Sequence, residues 1–163
     1  MFKDRWLDVR EADVELPDGR RLTHKVIHAP PSAGAVVLNN DAEVLLLWRH
    51  RFITDTWTYE IPIGKVDPGE EPADAARREC IEETGWEPMS LSPLLVVQPS
   101  NGIMTSRHHV FSATSARQVA APEGIEAERV EWVPLSTIVA LIAEHKVVGA
   151  TTVAALLYAA ARV

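Results

Sequence analysis

Three glutamates, Glu79, Glu82 and Glu83, lie at positions i, i+3 and i+4 of a segment whose pattern predicts a helix. We expect the helix to run from about Pro72 to Thr84, because proline suits a first turn and Gly85 suits the position just past the end. This spacing puts all three carboxylates on one face. Like charges placed in this way destabilise a bare helix by about 0.2–0.5 kcal/mol per pair. The fold must therefore supply compensating positive charge.

Two sources could supply that charge. Arg78 stands four residues before Glu82 and can pair with it. A hard divalent cation could neutralise the others, and ligands that are all oxygen favour magnesium, calcium or manganese over zinc. Magnesium keeps several waters, so it can present one as a nucleophile while it holds a phosphate. The alternative is an ordinary solvated face, and the spacing alone does not decide between them.

Charge and cysteine content exclude several classes of function. The chain has 16 basic and 23 acidic residues, a formal net charge of -7, which argues against nucleic acid or an anionic membrane as the main partner. The single cysteine, Cys80, excludes an internal disulfide and a cysteine-only zinc site. The charged N-terminus lacks an apolar stretch of signal-peptide length, and no run is long enough to span a bilayer. We expect a cytoplasmic protein.

The remaining pattern predicts an α/β or α+β fold with a mixed sheet packed in layers. Helices are expected from after Ser136 to near His145 and from about Thr151 to Ala161. Two apolar runs flank Asn39-Asn40-Asp41 and predict a hairpin. The predicted strands are Leu7–Leu16, Arg21–His28, Ala35–Leu38, Val44–Trp48, Trp57–Ile61, Leu94–Val97, His108–Ser112 and Val130–Val133.

The segment from Gly64 to Trp86 resembles the Nudix box. The box pattern is glycine, five residues, glutamate, seven residues, Arg-Glu, a hydrophobic residue, any residue, Glu-Glu, any residue, glycine and a hydrophobic residue. Cys80 and Trp86 take the two hydrophobic places. The approach W-x-x-E-x-P-x-G at residues 57–64 is similar to that of ADP-ribose pyrophosphatases, and the likeness extends over roughly residues 25 to 160. The positions in register with the box are Gly64, Glu70, Arg78, Glu79, Glu82, Glu83 and Gly85.

This resemblance implies a Nudix-type α/β/α sandwich around a mixed sheet, and hydrolysis of a nucleoside diphosphate linked to another moiety. It implies that Glu79 and Glu83 are the principal ligands of Mg²⁺, for which Mn²⁺ can substitute. Glu82 is expected either to be a further ligand or to hold Arg78, and the main-chain carbonyl of Ile63 is a further expected ligand. Gly64, Glu70, Arg78 and Gly85 are expected to support the box. A glutamate on the loop of residues 120–128, with Glu126 favoured over Glu123 and Glu128, is expected to be the catalytic base.

The expected substrate is ADP-ribose or a similar nucleotide sugar. Subgroup members carry a Pro-Ser-Pro-Gly-like stretch where this chain has Pro99-Ser100-Asn101-Gly102. The alternatives are another nucleotide, such as a dinucleoside polyphosphate or an oxidised nucleotide, or a nucleotide-binding regulator without activity. The expected substrate contacts are Arg51, Glu60, Trp57, Asn101 and Gly102. Arg49 either reaches the diphosphate as well or is an ordinary surface residue, and the surface position is favoured.

Two parts of the chain are expected to differ in role. Residues 1–30 form N-terminal strands that mediate a homodimer, as in ADP-ribose pyrophosphatases, and residues 31–163 form the hydrolase domain.

His108 and His109 are adjacent on a strand, so we expect one side chain on each face of the sheet.

Overall fold

Strands dominate the computed structural model, which describes residues 1–4, 7–122 and 128–162. The strands are β1 (Phe2–Lys3), β2 (Asp8–Glu15), β3 (Arg21–His28), β4 (Ser32–Val37), β5 (Glu43–Arg51), β6 (Thr56–Glu60), β7 (Ile63–Lys65), β8 (Trp86–Pro88), β9 (Ser92–Val97), β10 (His108–Ala113), β11 (Ala116–Gln118) and β12 (Arg129–Pro134). The helices are α1 (Pro72–Thr84), α2 (Ile138–Ala143) and α3 (Ala150–Ala160), with a 3-10 turn at Leu135–Thr137 before α2. None of the helices in these residues has the length and apolar character needed to cross a membrane.

Two sheets form the centre of the molecule. The first has the order β7-β4-β10-β9, in which β4 and β10 are parallel and the other pairs are antiparallel. The second has the order β12-β5-β6 and is antiparallel throughout. The expectation of a mixed sheet is therefore confirmed.

Helices cover both faces of these sheets, as the alternation of side chains along the strands requires. On β4, Ala33, Ala35 and Val37 belong to the apolar clusters beneath α1, whereas Val36 belongs to the cluster that includes Leu156 of α3. The small side chains of Ala33 and Ala35 let α1 approach the sheet closely. This is the expected α/β/α sandwich, and it is confirmed.

The predicted hairpin between β4 and β5 is wrong. The two strands meet in one isolated bridge, Leu38 with Val44, and then diverge into different sheets. Both edges of β4 are already occupied, by β7 and β10, and both edges of β5 are occupied by β12 and β6. Two interior strands cannot also pair with each other, so the turn at Asn39-Asn40-Asp41 joins two sheets instead.

Helix α1 has the predicted bounds. Gly85 ends it in the left-handed region, at φ 76°, and donates its backbone N–H to the carbonyl of Ile81. A Cβ atom at Gly85 would collide with the backbone of Ala120, which is a second reason for glycine there. On the face opposite the glutamates, Ala73 and Ile81 are only half-buried. The buried residues of α1 are Ala75, Ala76, Cys80 and Thr84.

The N-terminal strands form a separate antiparallel sheet in the order β1-β2-β3. Most side chains of β2 and β3 are exposed, because the hairpin packs mainly on itself. At its base Ile27 exchanges backbone hydrogen bonds with Ile103 and Thr105, and His24 Nε2 lies 2.9 Å from the carbonyl oxygen of Gly102. The hairpin is thus joined to the sandwich at one end.

Candidate active site

Arg78 joins the acidic residues of α1 to the loop that precedes the helix. Its Nε and Nη2 donate to the two carboxylate oxygens of Glu70, at 2.9 and 3.0 Å. Its Nη1 donates to Glu79 at 2.8 Å and to Glu82 at 3.1 Å, and Nη2 also donates to the carbonyl oxygen of Lys65. One guanidinium thereby fixes three carboxylates and offsets part of their mutual repulsion.

Glu70 closes the loop as well as binding Arg78. Its carboxylate accepts the backbone N–H of Asp67 at 3.0 Å, while the N–H of Glu70 donates to the carbonyl of Asp67. Gly69 completes this turn at φ 84°, a conformation that favours glycine. The hydrogen bonds from Arg78, together with that from the backbone, lower the pKa of Glu70 to about 2. Glu70 therefore stays ionised and remains in its ion pair with Arg78.

Glu79 lies against the backbone of the loop strand β7. A Cβ atom at Gly64 would lie under 3.0 Å from the carboxylate oxygens of Glu79, so the side chain of Glu79 occupies the space that glycine leaves open. Burial raises the pKa of Glu79, although the hydrogen bond from Arg78 acts in the opposite direction. A half-buried carboxylate of this kind is stabilised by a nearby cation.

Glu83 is held by two groups outside α1. Arg49 Nη2 donates to its Oε1 at 2.5 Å, and the backbone N–H of Ile63 donates to its Oε2 at 2.9 Å. Burial raises the pKa of Glu83, and the charge and hydrogen bond of Arg49 oppose that rise. Glu83 therefore depends on a buried positive charge.

The favoured alternative of a surface position for Arg49 is wrong, because the residue is only 2% exposed. Its Nε also lies 4.0 Å from Glu60 Oε2. A signal for this position exists in the sequence: Arg49 continues the period of two that begins at Leu45, and Leu45 faces α1. Arginine at the end of such a row indicates a buried carboxylate partner on the facing helix.

The donor set fits a hard divalent cation. Glu79, Glu82 and Glu83 offer carboxylate oxygens from one helix face, and burial of two of them makes a bound cation favourable. Across residues 1–4, 7–122 and 128–162, no three acidic, histidine or cysteine side chains converge closely enough to share one ion. In the present arrangement Arg78 donates to one carboxylate oxygen of Glu79, whereas Arg49 and the backbone N–H of Ile63 donate to the two oxygens of Glu83, so a cation at Glu83 would compete with Arg49.

A cavity of about 450 Å³ opens beside this cluster. Arg51 and Glu60 line it and form a two-pronged ion pair in which Arg51 Nε donates to Glu60 Oε1 at 2.9 Å. Ile63 and Lys65 of β7 and His108 of β10 also line it. His109 lies on the other face of the sheet, in a second depression that does not include His108. One histidine on each face is as predicted.

Other predicted contacts are not brought to this cavity. Trp57 is 46% exposed and lies on the opposite side of β6 from Glu60, with its ring 5.2 Å from that of His50. Asn101 and Gly102 are exposed in the loop beside the N-terminal hairpin, and of that stretch Pro99 lines the cavity. Glu126 and Glu123 lie outside the described residues.

Residues 28–156 match the sequence model of the NUDIX domain, and residues 1–27 match the nucleoside diphosphate sugar hydrolase N-terminal domain. The chain is 40% identical over 154 residues to a CMP-5'-(N-acetyl-N-hydroxy-3-aminopropyl)phosphonate hydrolase of Streptomyces rubellomurinus, covering 94% of this chain and 75% of that protein. It is 26% identical over 161 residues to an ADP-ribose pyrophosphatase of Bacillus subtilis, covering 97% and 87%. The crystal structure of an ADP compounds hydrolase is similar with a TM-score of 0.80 at 22% identity, covering 98% of this chain and 87% of that one.

Proposed function

Because the chain belongs to the Nudix hydrolase family, we propose that it uses a divalent cation to hydrolyse the phosphoric anhydride of a nucleoside diphosphate linked to another group. The single observation that carries the proposal is the arrangement of Glu79, Glu82 and Glu83 on one face of α1, beside a cavity lined by the basic residues Arg51 and Lys65. Water adds across the P–O–P bridge. The products are a nucleoside monophosphate and the phosphorylated partner group.

The carboxylates of Glu79, Glu82 and Glu83, with the carbonyl of Ile63, would hold Mg²⁺ or Mn²⁺. When bound, the cation would draw charge from the phosphate oxygens and lower the pKa of water. Arg78 and Glu70 would set the position of Glu79, and Gly64 would give its carboxylate room. Gly85 would end α1 where the chain must turn back against residue 120.

Arg51 would bind the diphosphate through its guanidinium, with Glu60 orienting it. Arg49 would stabilise Glu83 while the metal is absent. When the metal binds, it would replace Arg49 as the positive charge next to Glu83. Glu126 is proposed as the base that takes a proton from the attacking water. Trp57, Asn101 and Gly102 remain proposed substrate contacts, and a place for them in the site would require movement or a second subunit.

ADP-ribose or a similar nucleotide sugar is the proposed substrate. The match of residues 1–27 to a nucleoside diphosphate sugar hydrolase domain and the relative named ADP-ribose pyrophosphatase support it. A second candidate, a cytidine monophosphate joined to a phosphonate, is favoured by the 40% identical relative. Both substrates have a nucleoside monophosphate joined by an anhydride to a second phosphorus atom, so the same site would cut either one.

The test is a substrate panel with product identification. ADP-ribose, UDP-glucose, a CMP–phosphonate conjugate, a dinucleoside polyphosphate and an oxidised nucleotide would each be incubated with Mg²⁺, with Mn²⁺ and with chelator. We expect metal-dependent release of nucleoside monophosphate from one of the first three. Preference for either of the last two would replace the substrate assignment. Nucleotide binding without turnover of any compound would instead mean a non-catalytic regulator.

We further propose that residues 1–30 serve a homodimer and residues 31–163 the hydrolase domain. The exposed apolar side chains of the hairpin, including Val14 and Leu22, support a contact with a second copy. Sedimentation should give the mass of a dimer at micromolar concentration. A stable monomer that is fully active would contradict the dimer and leave the hydrolase proposal standing.

A further inference from the structure

Four charged side chains of alternating sign connect α1 to the cavity. Arg49 Nη2 lies 2.5 Å from Glu83 Oε1, and Arg49 Nε lies 4.0 Å from Glu60 Oε2. Arg51 donates to both carboxylate oxygens of Glu60, with its Nε 2.9 Å from Oε1. The order is therefore Glu83, Arg49, Glu60 and Arg51, and the last two line the cavity. A change of partner at Glu83 can thus be felt at Arg51.

The register of β5 and β6 places Glu60 between the two arginines. Arg49 and Arg51 are two residues apart on β5, so their side chains leave the same face of the strand. Glu60 pairs with Leu47 on that face and lies diagonally next to Arg49, whereas the residue directly opposite Arg49 is Thr58. Diagonal neighbours on a sheet are within reach of long side chains. Glu60 can therefore bind either arginine without a change in the backbone.

The two arginines differ in how strongly each depends on a carboxylate. The side chain of Arg49 is 3% exposed, whereas that of Arg51 is 44% exposed. A buried charge that loses its partner is strongly destabilising, but a half-exposed guanidinium can be solvated by water and gains little from an ion pair. If Arg49 loses Glu83, it therefore competes for Glu60 more effectively than Arg51 does.

A divalent cation at Glu83 would start this competition. Arg49 and the backbone N–H of Ile63 donate to the two oxygens of Glu83, so the guanidinium would be repelled by a cation bound there. A movement of about 1 Å would bring Arg49 Nε within hydrogen-bond distance of Glu60 Oε2. That same oxygen accepts from Arg51 Nη2. The approach of Arg49 would therefore bring two like charges together and weaken the bond to Arg51.

We propose that Glu60 is a positioning residue that two arginines exchange: it holds Arg51 while Glu83 binds Arg49, and it takes Arg49 and releases Arg51 to the substrate diphosphate once a cation occupies Glu83. The inference rests on the proposed function and refines the role of Glu60 in it. The exchange makes cation binding strengthen diphosphate binding through the protein. By reciprocity, the diphosphate on Arg51 strengthens cation binding at Glu83 by the same factor.

The exchange is tested without any metal, because a cation could also bind the diphosphate directly. Glu83→Gln removes the charge that holds Arg49 and supplies no cation in its place. The probe is methylenediphosphonate, whose P–C–P bridge cannot be hydrolysed, titrated calorimetrically in chelator. It should bind Glu83→Gln about tenfold more tightly than wild type, a typical coupling between two sites. The gain should disappear when Glu83→Gln is combined with Arg49→Met, which leaves Glu60 to Arg51, or with Arg51→Met.

Glu79→Gln is the matched control for the loss of one negative charge. It removes a carboxylate from the same face of α1, but the arginine that donates to this carboxylate is Arg78. Its affinity for methylenediphosphonate in chelator should stay close to that of wild type. An equal gain in Glu79→Gln and Glu83→Gln would mean a general effect of charge. That result, or no gain in Glu83→Gln, would overturn the exchange.

A second measurement uses the wild-type protein, because Glu83→Gln also weakens the fold. In protein with ¹⁵N-labelled arginine, Mg²⁺ alone should increase the solvent exchange of the Arg51 Nε–H, whose signal is identified by its loss in Arg51→Met. The Nε–H of Arg117, which donates to Glu87 at 2.7 Å on the short strand β11, is the control and should not respond. An unchanged Arg51 signal at saturating Mg²⁺ would overturn the exchange, whatever happens to the signals of α1.

Glu60→Gln separates the exchange from direct contact between the cation and the diphosphate. The quantity measured is the ratio of the methylenediphosphonate affinities at fixed free Mg²⁺ and in chelator. Glu60→Gln should lower this ratio by about tenfold, since Arg51 is already released without metal. An unchanged ratio would assign all of the coupling to direct contact and overturn the exchange. If these binding results hold but no nucleotide is hydrolysed, the proposed function fails and the exchange stands.

Discussion

The carboxylate of Glu79 occupies the space next to the α-carbon of Gly64 that any other residue would need for its Cβ atom. The position of a proposed metal ligand is therefore set by the absence of a side chain on β7. Since Arg78 holds the same carboxylate from the other side, at 2.8 Å, Glu79 has little freedom to move away.

Gly64→Ala should displace the Glu79 carboxylate and lower turnover or metal affinity by about 10- to 100-fold, the usual cost of disturbing the support of a metal ligand. Turnover would be measured across a Mg²⁺ titration, with urea unfolding to confirm that the variant is folded. A folded variant with wild-type turnover and metal dependence would mean that Glu79 is not a ligand.

Glu83→Gln should abolish most of the activity, and it should also destabilise the protein by about 3 kcal/mol, because the buried charge of Arg49 loses its partner. The double variant Arg49→Met with Glu83→Gln should recover much of the stability but none of the activity. Urea unfolding and turnover of the three proteins check this. Equal stability of Glu83→Gln and wild type would contradict the importance of the ion pair.

The hydrogen bonds of Glu70 predict a defined pH dependence of stability. Its pKa falls from about 4.5 to about 2 on folding, so the stabilisation is fully present above about pH 5 and is lost as the pH falls toward 2. The difference in unfolding free energy between wild type and Glu70→Gln should therefore be constant from pH 7 to pH 5 and shrink below. Urea titrations at several pH values measure it. A difference that stays the same at pH 3 would rule out the carboxylate as its source.

Cys80 should not react with thiol reagents while the protein is folded. It lies on the buried face of α1, and burial raises the pKa of its thiol to about 12. Almost no thiolate therefore exists at pH 8. Modification should be slow in buffer and rapid in urea, relative to a small free thiol. Rapid modification of the folded protein would mean that α1 opens readily.

Glu126→Gln should lower turnover by about 10²–10⁴-fold with little change in metal affinity, if Glu126 is the base. Glu123→Gln is the matched control in the same loop. Equal losses in the two variants would mean that the base is not Glu126 alone. If both variants are fully active and Glu79→Gln is inactive, the base is a residue of the Nudix box.

The bounds of α1 and the layered fold were predictable because their signals are local. Proline, the glutamate spacing and Gly85 mark one helix, and alternating apolar residues mark the strands. The pairing of β4 was not predictable in this way, since its partner β10 lies more than seventy residues away. The short strands β7, β8 and β11 were missed because three residues give no periodicity.

The candidate site was predictable in the residues that share one helix turn and less so elsewhere. Glu79, Glu82, Glu83 and Arg78 come together through i+1, i+3 and i+4 geometry alone. The burial of Arg49 depends on the facing helix, and the position of Trp57 depends on which side of β6 faces the cavity. Such contacts are set by tertiary structure, which the spacing of residues along one strand does not record.

The attachment of the N-terminal hairpin at one end bears on how the molecule loses structure. Its strands pair with each other over eight residue pairs and meet the sandwich near Ile27 and His24. Few apolar side chains are buried there within one chain, so in the monomer opening this unit exposes little surface and is less costly than opening the sandwich. The chain is then not one cooperative unit. Its amide hydrogens would exchange in two classes, with the hairpin exchanging well before strands β4, β5 and β10.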